Sequence, residues 1–548
     1  IVSIGSGLNA NGTGSGNGGV VNVKFPEPNA ANPLLIGAVG GVNQSFVSGS
    51  IMAQAPGVGV GGTISITNTA SNAPLNIDFA GTGSISANSA QGKFGDVILA
   101  TASGATPTGN QSITVKPVAG NVGSIGGFIT AIGTSVDITT RANNARIDVG
   151  TVTGTAGTVN LVSDQGGLGR VSVGEGRVAK ATGDITIAAQ IFEDNGLVTT
   201  SNNNGRIDVT SPGDLLVTGE GTVSTTGAGN TVIRFAAAPT KTLTLDNNLN
   251  IRPTNDAGKV IFEAPGSGGS VIVPSGRNIL INDGGDIQIS TNNLVLGQLK
   301  GVTIGGSSIS AVAVPGRVSN IVVDSGVVGA QDLNIQSTGL SNTLAAMGTG
   351  ATINIGPTNG TSDGKNLNFT GANTTLNLNG GDVDTHARST PLLTATTSIA
   401  PTFTLQGQQN ICIGLDGGTA TTPATLVNNG IIQSSGTLAG TKIIVGPEDA
   451  ALAGLNFVAI SGGTLATRGQ INLTGNPVNG FVGVHALDDT LTFTAGTNQA
   501  INSGTGTGSS TQLGGGSGVF LAAGANVSST GGSKLDVITN ALTTSASA

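Results

Sequence analysis

Short clusters of alternating apolar and polar residues run the length of this chain. Gly62-Thr63-Ile64-Ser65-Ile66, Gly183-Asp184-Ile185-Thr186-Ile187 and Gly205-Arg206-Ile207-Asp208-Val209 set the pattern. Alternation of period two puts the Ile and Val of each cluster on one side of an extended strand and the Ser, Thr and Asp on the other. The small residue in front marks a turn. The same template recurs at Ala145-Arg146-Ile147-Asp148-Val149, Gly157-Thr158-Val159-Asn160-Leu161 and Gly169-Arg170-Val171-Ser172-Val173, and again at Gly285-Asp286-Ile287-Gln288-Ile289 and Gly518-Val519-Phe520-Leu521. Helix formers are few, so the prediction is an all-β chain of many short strands.

The spacing of these clusters identifies the architecture. First apolar residues at 147, 159, 171 and 185 lie 12, 12 and 14 apart, whereas those at 185, 207, 232 and 260 lie 22, 25 and 28 apart. Two classes of spacing imply a degenerate coil of roughly 20–25 residues with two or three strands, within the periods of solenoid repeats. The 19 prolines are scattered, and no charged or Pro-rich linker divides the chain. The expectation is a parallel β-helix, a single continuous β-solenoid over 1–548, with loop insertions near 26–62 and 382–401. Crossover chirality favours a right-handed coil.

Composition narrows the function. The chain has 91 Gly, no Trp or Tyr and only 9% charged residues, yet 37% are hydrophobic. The formal charge of −8 comes with no basic stretch, and the aromatics are limited to 14 Phe, so nucleic-acid binding has no support. No run of about 18 apolar residues predicts a membrane-spanning helix. The sequence starts at Ile1, not Met, which fits a processed or excised secreted product and an extracellular location. Cys412, between Ile411 and Ile413, is the only cysteine and reads as a packed thiol.

Candidate chemistry is sparse. His386, expected in a loop, and His485 are the only histidines and lack metal-ligand spacing. Aspartates at tight turns can hold calcium with carbonyl oxygens, which makes Asp283, Asp286, Asp382, Asp384 and Asp416 the candidates. No Gly-Gly-x-Gly-x-Asp array recurs, and the competing reading is that these residues only make turns. Arg146, Arg170, Arg177 and Arg206 would form a stripe if the coils register them, and otherwise are solvated strand starts. Sequons at Asn11, Asn43, Asn110, Asn359, Asn373, Asn472 and Asn526 match chance in so Asn-, Ser- and Thr-rich a chain. No cofactor and no enzymatic activity are expected.

Several stretches resemble the repeats of filamentous-haemagglutinin-type exoproteins of two-partner secretion. They are 426–438 (Leu-Val-Asn-Asn-Gly-Ile-Ile-Gln-Ser-Ser-Gly-Thr-Leu), 457–465 and 518–525. The resemblance implies a secreted right-handed β-helix acting in adhesion or surface structure. The Asn-Pro-Asn-Gly-type motif of that family's secretion domain is not recognisable here. A solenoid's ends are open sheet edges that need capping, and Ile1-Val2-Ser3-Ile4 and Lys534-Leu535-Asp536-Val537-Ile538 are strand-like without a covering helix. The expectation is therefore a structural protein that joins copies of itself head to tail into an extracellular filament, with Ile1, Val2, Ile4, Leu535, Val537 and Ile538 at the interface. The alternative is a surface adhesin or passenger segment whose loops bind cell-surface or host glycans. A third reading is a polysaccharide-active β-helix or a tailspike-like protein.

Overall fold

The computed structural model describes residues 1–446, except 103–110, 143–144, 164–168, 254–257, 283–284, 299–305, 312–316, 326–331, 339–340, 347–350, 357–365, 389–394 and 417–423, and beyond 446 the strands within 463–542 and residue 474. The protein is an all-β parallel β-helix, and no helix occurs among the described residues. The chain divides into two compact units, Ile1–Ala238 with Asn247–Lys259, and Pro239–Asp246 with Val260–Ala548.

The first unit opens with β1 (Ser3–Ile4), β2 (Leu8–Asn9) and β3 (Val20–Phe25), one strand on each of three sheets. Next come β4 (Leu34–Ile36), β5 (Phe46–Val47), β6 (Ile51–Met52), β7 (Thr63–Asn68), β8 (Leu75–Phe79) and β9 (Ser84–Ser86). β6 stacks on β2 and β7 on β3 in parallel register. In the first sheet the order departs from the chain order. β1 pairs with β5, β5 with β4, and β4 with β8, so β4 lies between two strands that follow it in sequence. The expected insertion at 26–62 thus holds three short strands, β4, β5 and β6, joined by longer connections, and it adds one extra strand to the first sheet.

Inward positions stack on their counterparts coil after coil. Leu75, Ile113, Val136, Val159, Ile185, Ile207 and Ile233 form one register row. Ile77, Val115, Ile138, Leu161, Ile187, Val209 and Phe235 form the next, and every member of both rows is fully buried. Phe192 meets Phe235 across the interior with ring centroids 6.4 Å apart. The sheets are parallel with one face solvated, which is why their strands alternate instead of reading as the continuous apolar runs of a parallel sheet covered on both faces.

Coil length corrects the sequence-based period. Val136 pairs with Val159, 23 residues on, and Ile185 with Ile207, 22 residues on. Elsewhere coils are longer: Ser3 pairs with Phe46, 43 residues on, and Ala424 with Gly463, 39 residues on. Loops at the corners lengthen without disturbing the strands, so the 20–25-residue coil is close to the minimum rather than the norm. The 12-residue spacing of Ile147, Val159 and Val171 is half a coil: Ile147 stacks on Val171, while Val159 belongs to another sheet.

The second unit repeats a three-strand coil. Thr352–Ile355, Leu367–Thr370 and Thr374–Asn379 make one, and Asp382–Arg388, Thr396–Ile399 and Phe403–Gly407 the next, all in parallel register. Residues 382–401, expected as a loop insertion, therefore hold two strands. His386 sits in the first of them, not in a loop. Val383 and Thr385 point inward there, an alternation masked by the polar residues between them.

Asparagine is abundant because its amide continues the ladder where strands end. Asn334 donates to Asn293 Oδ1 at 3.0 Å, Asn368 to Asn334 Oδ1 at 2.9 Å, and Ser398 to Asn368 Oδ1 at 2.6 Å. At the coil corners, Asn320 donates to Asp286 Oδ1 at 3.1 Å and accepts from the Thr352 amide at 3.0 Å. Asn43 and Asn373 adopt positive φ (65° and 51°), a conformation asparagine tolerates. Two glycine-rich loops, 12–19 and 57–62, lie backbone on backbone: a Cβ at Gly57 would strike the Gly14 carbonyl, and one at Gly59 the Gly16 carbonyl. Truncating the fully buried Phe235 to Ala should destabilise the first unit by about 3–5 kcal/mol, read as a lowered denaturation midpoint in urea.

Candidate functional site

Three surface features carry the sequence candidates. The first is the edge made by β1, β2 and β3, each of which has a single hydrogen-bonded neighbour strand among the described residues. The carbonyls of Val2 and Ile4 accept from the amides of Phe46 and Ser48 at 2.7 and 2.9 Å. In a parallel ladder alternate residues bond to opposite sides, so the Ser3 backbone faces away from β5. Likewise Thr63 and Thr69 donate to the Gly19 and Phe25 carbonyls at 3.0 and 2.8 Å, which turns the backbones of Val20, Asn22 and Lys24 toward the edge. Val21, Val23 and Phe25 point into the core. Ile1, expected within the terminal strand, precedes it and is 63% exposed. Val20, Val39, Val42, Val58 and Val60 are also exposed in these first coils.

At the other end of the sequence, Leu535–Ile538 pairs in parallel with Gln499–Asn502, and its side chains lie outside the described residues. Ser510–Gly515 carries two short neighbours: Ala541–Leu542 in parallel and Val519–Phe520 antiparallel. The antiparallel pairing covers the last two residues of that strand, Gly514 and Gly515.

The second feature is an arginine–phenylalanine ladder. The strands Arg146–Gly154 and Arg170–Ala181 place Arg146 beside Arg170, and Asp148 beside Ser172, which in turn pairs with Glu193. Adjacent guanidinium groups are tolerated because each has its own acid. Arg146 Nε lies 2.6 Å from Asp148 Oδ1, and Arg170 is paired with Glu193, which also accepts from Ser172 Oγ at 2.9 Å. Burial pushes the Asp148 carboxyl up, against the opposing pull of Arg146. Burial, followed by the neighbouring Arg146 charge, pulls the Arg170 guanidinium down. Arg146 lies over the Phe94 ring at 4.7 Å and Arg177 over Phe128 at 4.3 Å, and the two rings meet edge to face at 5.7 Å. Arg206 is not part of this group. It sits on the first sheet, paired with Asp208 at 2.5 Å.

Asp194, which sequence reasoning missed, faces inward as the last residue of the strand Ile191–Asp194. Its Oδ1 accepts the Gly196 amide at 2.9 Å, while Oδ2 is buried without a hydrogen-bond partner. Gly221 of the next coil packs against the carboxyl, where any Cβ would sit 2.7 Å from Oδ1. Burial raises its pKa to about 7.

The third feature is a groove on the first sheet of the second unit, lined by Asp382, Asp384, Asn410 and Cys412 among others. Cys412 is half-buried and faces outward, because alternation gives the interior to Ile411 and Ile413; the packed-thiol expectation is corrected accordingly. Of the calcium candidates, Asp382 is bonded to Asn410, and Asp286 to Asn320. Asp283 and the Asp416 side chain lie outside the described residues, as do the side chains of His386 and His485. Among the described residues no three His, Cys, Asp or Glu come close enough to hold a metal ion, and no helix is long and apolar enough to cross a membrane. No protein-family model, curated protein or solved structure matches this chain.

Asp194→Asn keeps the acceptor for Gly196 and removes the titration. Because the folded pKa is raised, wild-type stability is greatest below the ordinary carboxylate range and falls as pH climbs to about 7. The variant should show no such fall and be more stable at pH 8, as measured by thermal unfolding across pH.

Proposed function

We propose that this protein is a structural β-solenoid, exported from the cell, whose coil stack is extended by a second copy joined head to tail into a filament. The observation that supports this reading is that, among the described residues, the outward-turned backbone groups of β1, β2 and β3 have no partner strand. An open edge is a template for another strand, and natural sheets blunt it with charge, proline, bulges or a cover. Lys24 is the only charged side chain on these three strands. The apolar surface around them, with Val42 95% exposed, favours burial against a partner. In this reading Val2, Ser3 and Ile4 and the β3 edge receive the last coil of the next copy, where Leu535, Val537 and Ile538 lie. The short motifs resembling filamentous-haemagglutinin repeats agree with an extracellular setting.

The alternative, a displayed segment of a longer surface adhesin, uses the same edge, with the next coil supplied by the same polypeptide. Proline at Asn22 and Lys24 removes edge-facing N–H groups and none of the bonds to β7, and edge strands tolerate it. Negative-stain microscopy of wild type should show fibres that lengthen with concentration, and N22P/K24P should give single copies with unchanged circular dichroism. Fibres from the double variant would refute the assigned edge. A wild-type chain that stays monomeric at every concentration would favour the display reading.

A further inference from the structure

The groove on the second unit has a chemistry that self-association does not use. Its volume is about 160 Å³. Two register rows cross it: Asp382, Asn410 and Lys442 in one, Asp384, Cys412 and Ile444 in the other. Asn410 locks the first row, donating to Asp382 Oδ1 at 2.7 Å and accepting the Lys442 amide at 3.0 Å. Asp382 is exposed and Asp384 half-buried, whereas Ile444, though on the outer side of its strand, is only 6% exposed. The lining is mainly apolar, with carboxylate, amide and ammonium groups set among the apolar atoms.

That distribution selects the occupant. The volume lies below the ~300 Å³ at which drug-sized pockets begin, so it suits a single small ring. An apolar surface bordered by hydrogen-bonding groups matches a ring with a C–H face and an equator of hydroxyls. Two carboxylates against one lysine disfavour an anion and supply acceptors for hydroxyl donors. We propose that this groove binds one neutral sugar residue, through Asp382 and Asp384 as acceptors and the surface at Cys412 and Ile444 as platform. The proposal is independent of filament assembly and holds for either reading above.

The only cysteine of the chain lines the groove, so it reports occupancy directly. Cys412 in the full-length native protein is labelled with a small maleimide, with and without glucose, galactose, mannose, N-acetylglucosamine or their β-linked disaccharides. One of these sugars should slow labelling, by about tenfold at ten times its Kd from simple occupancy. Asp382→Ala should abolish the protection, scored as the ratio of labelling rates with and without sugar for each protein, so that any change in the bare rate cancels. Saturation-transfer NMR with the same sugars gives a second readout that does not depend on thiol reactivity. No rate change together with no saturation transfer for any sugar overturns the proposal. Protection by calcium alone, or by a sugar equally well in D382A, overturns it too.

Discussion

The structure depends on parallel, in-register stacking of one coil on the next. Backbone hydrogen bonds run between coils, so each side chain meets the residue at the same register position above and below it. Aliphatic residues suit that constraint inside, where Ile, Val and Leu follow one another through seven coils of the first sheet in the first unit. Asparagine suits it outside, since one amide donates to one neighbour and accepts from the other, as in the run Asn293, Asn334 and Asn368. Charge does not suit it, because like would stack on like. A chain with 9% charged residues is the compositional result.

The exceptions show how much the constraint can be strained. Arg146 and Arg170 stack directly, and the fold accommodates them by giving each a carboxylate and by laying Arg146 on the Phe94 ring. Arg146–Asp148 joins a partly exposed guanidinium to a buried carboxylate and Arg170–Glu193 is half-buried, so the pairing offsets both the repulsion and the burial of charge. Asp194 is the harder exception. It occupies an inward register position next to Val173, with one oxygen unpartnered, and the unfavourable burial appears as a proton held near neutrality.

Much of the fold was legible because period two survives along the chain: Ile64 and Ile66, or Ile207 and Val209, face inward as their alternation requires. The Arg146–Arg170 contact was only half legible. Both sit at strand starts in the sequence, but their adjacency needs the 24-residue register, which the intervening strand at Val159 disguises. Coil length was not legible, because corner loops vary without leaving a trace in strand periodicity. The burial of Asp194 had no signal at all, since an Asp ahead of Asn-Gly reads as a turn residue. The outward turn of Cys412 was present in the alternation with Ile411 and Ile413 and was overridden by the usual preference of thiols for the interior.

The placement of β4 constrains how the chain can wind. Its slot lies between β5 and β8, both of which come later in the polypeptide. β4 is therefore flanked on both sides only once β8, further along the polypeptide, has been laid down, and until then one of its edges stays open.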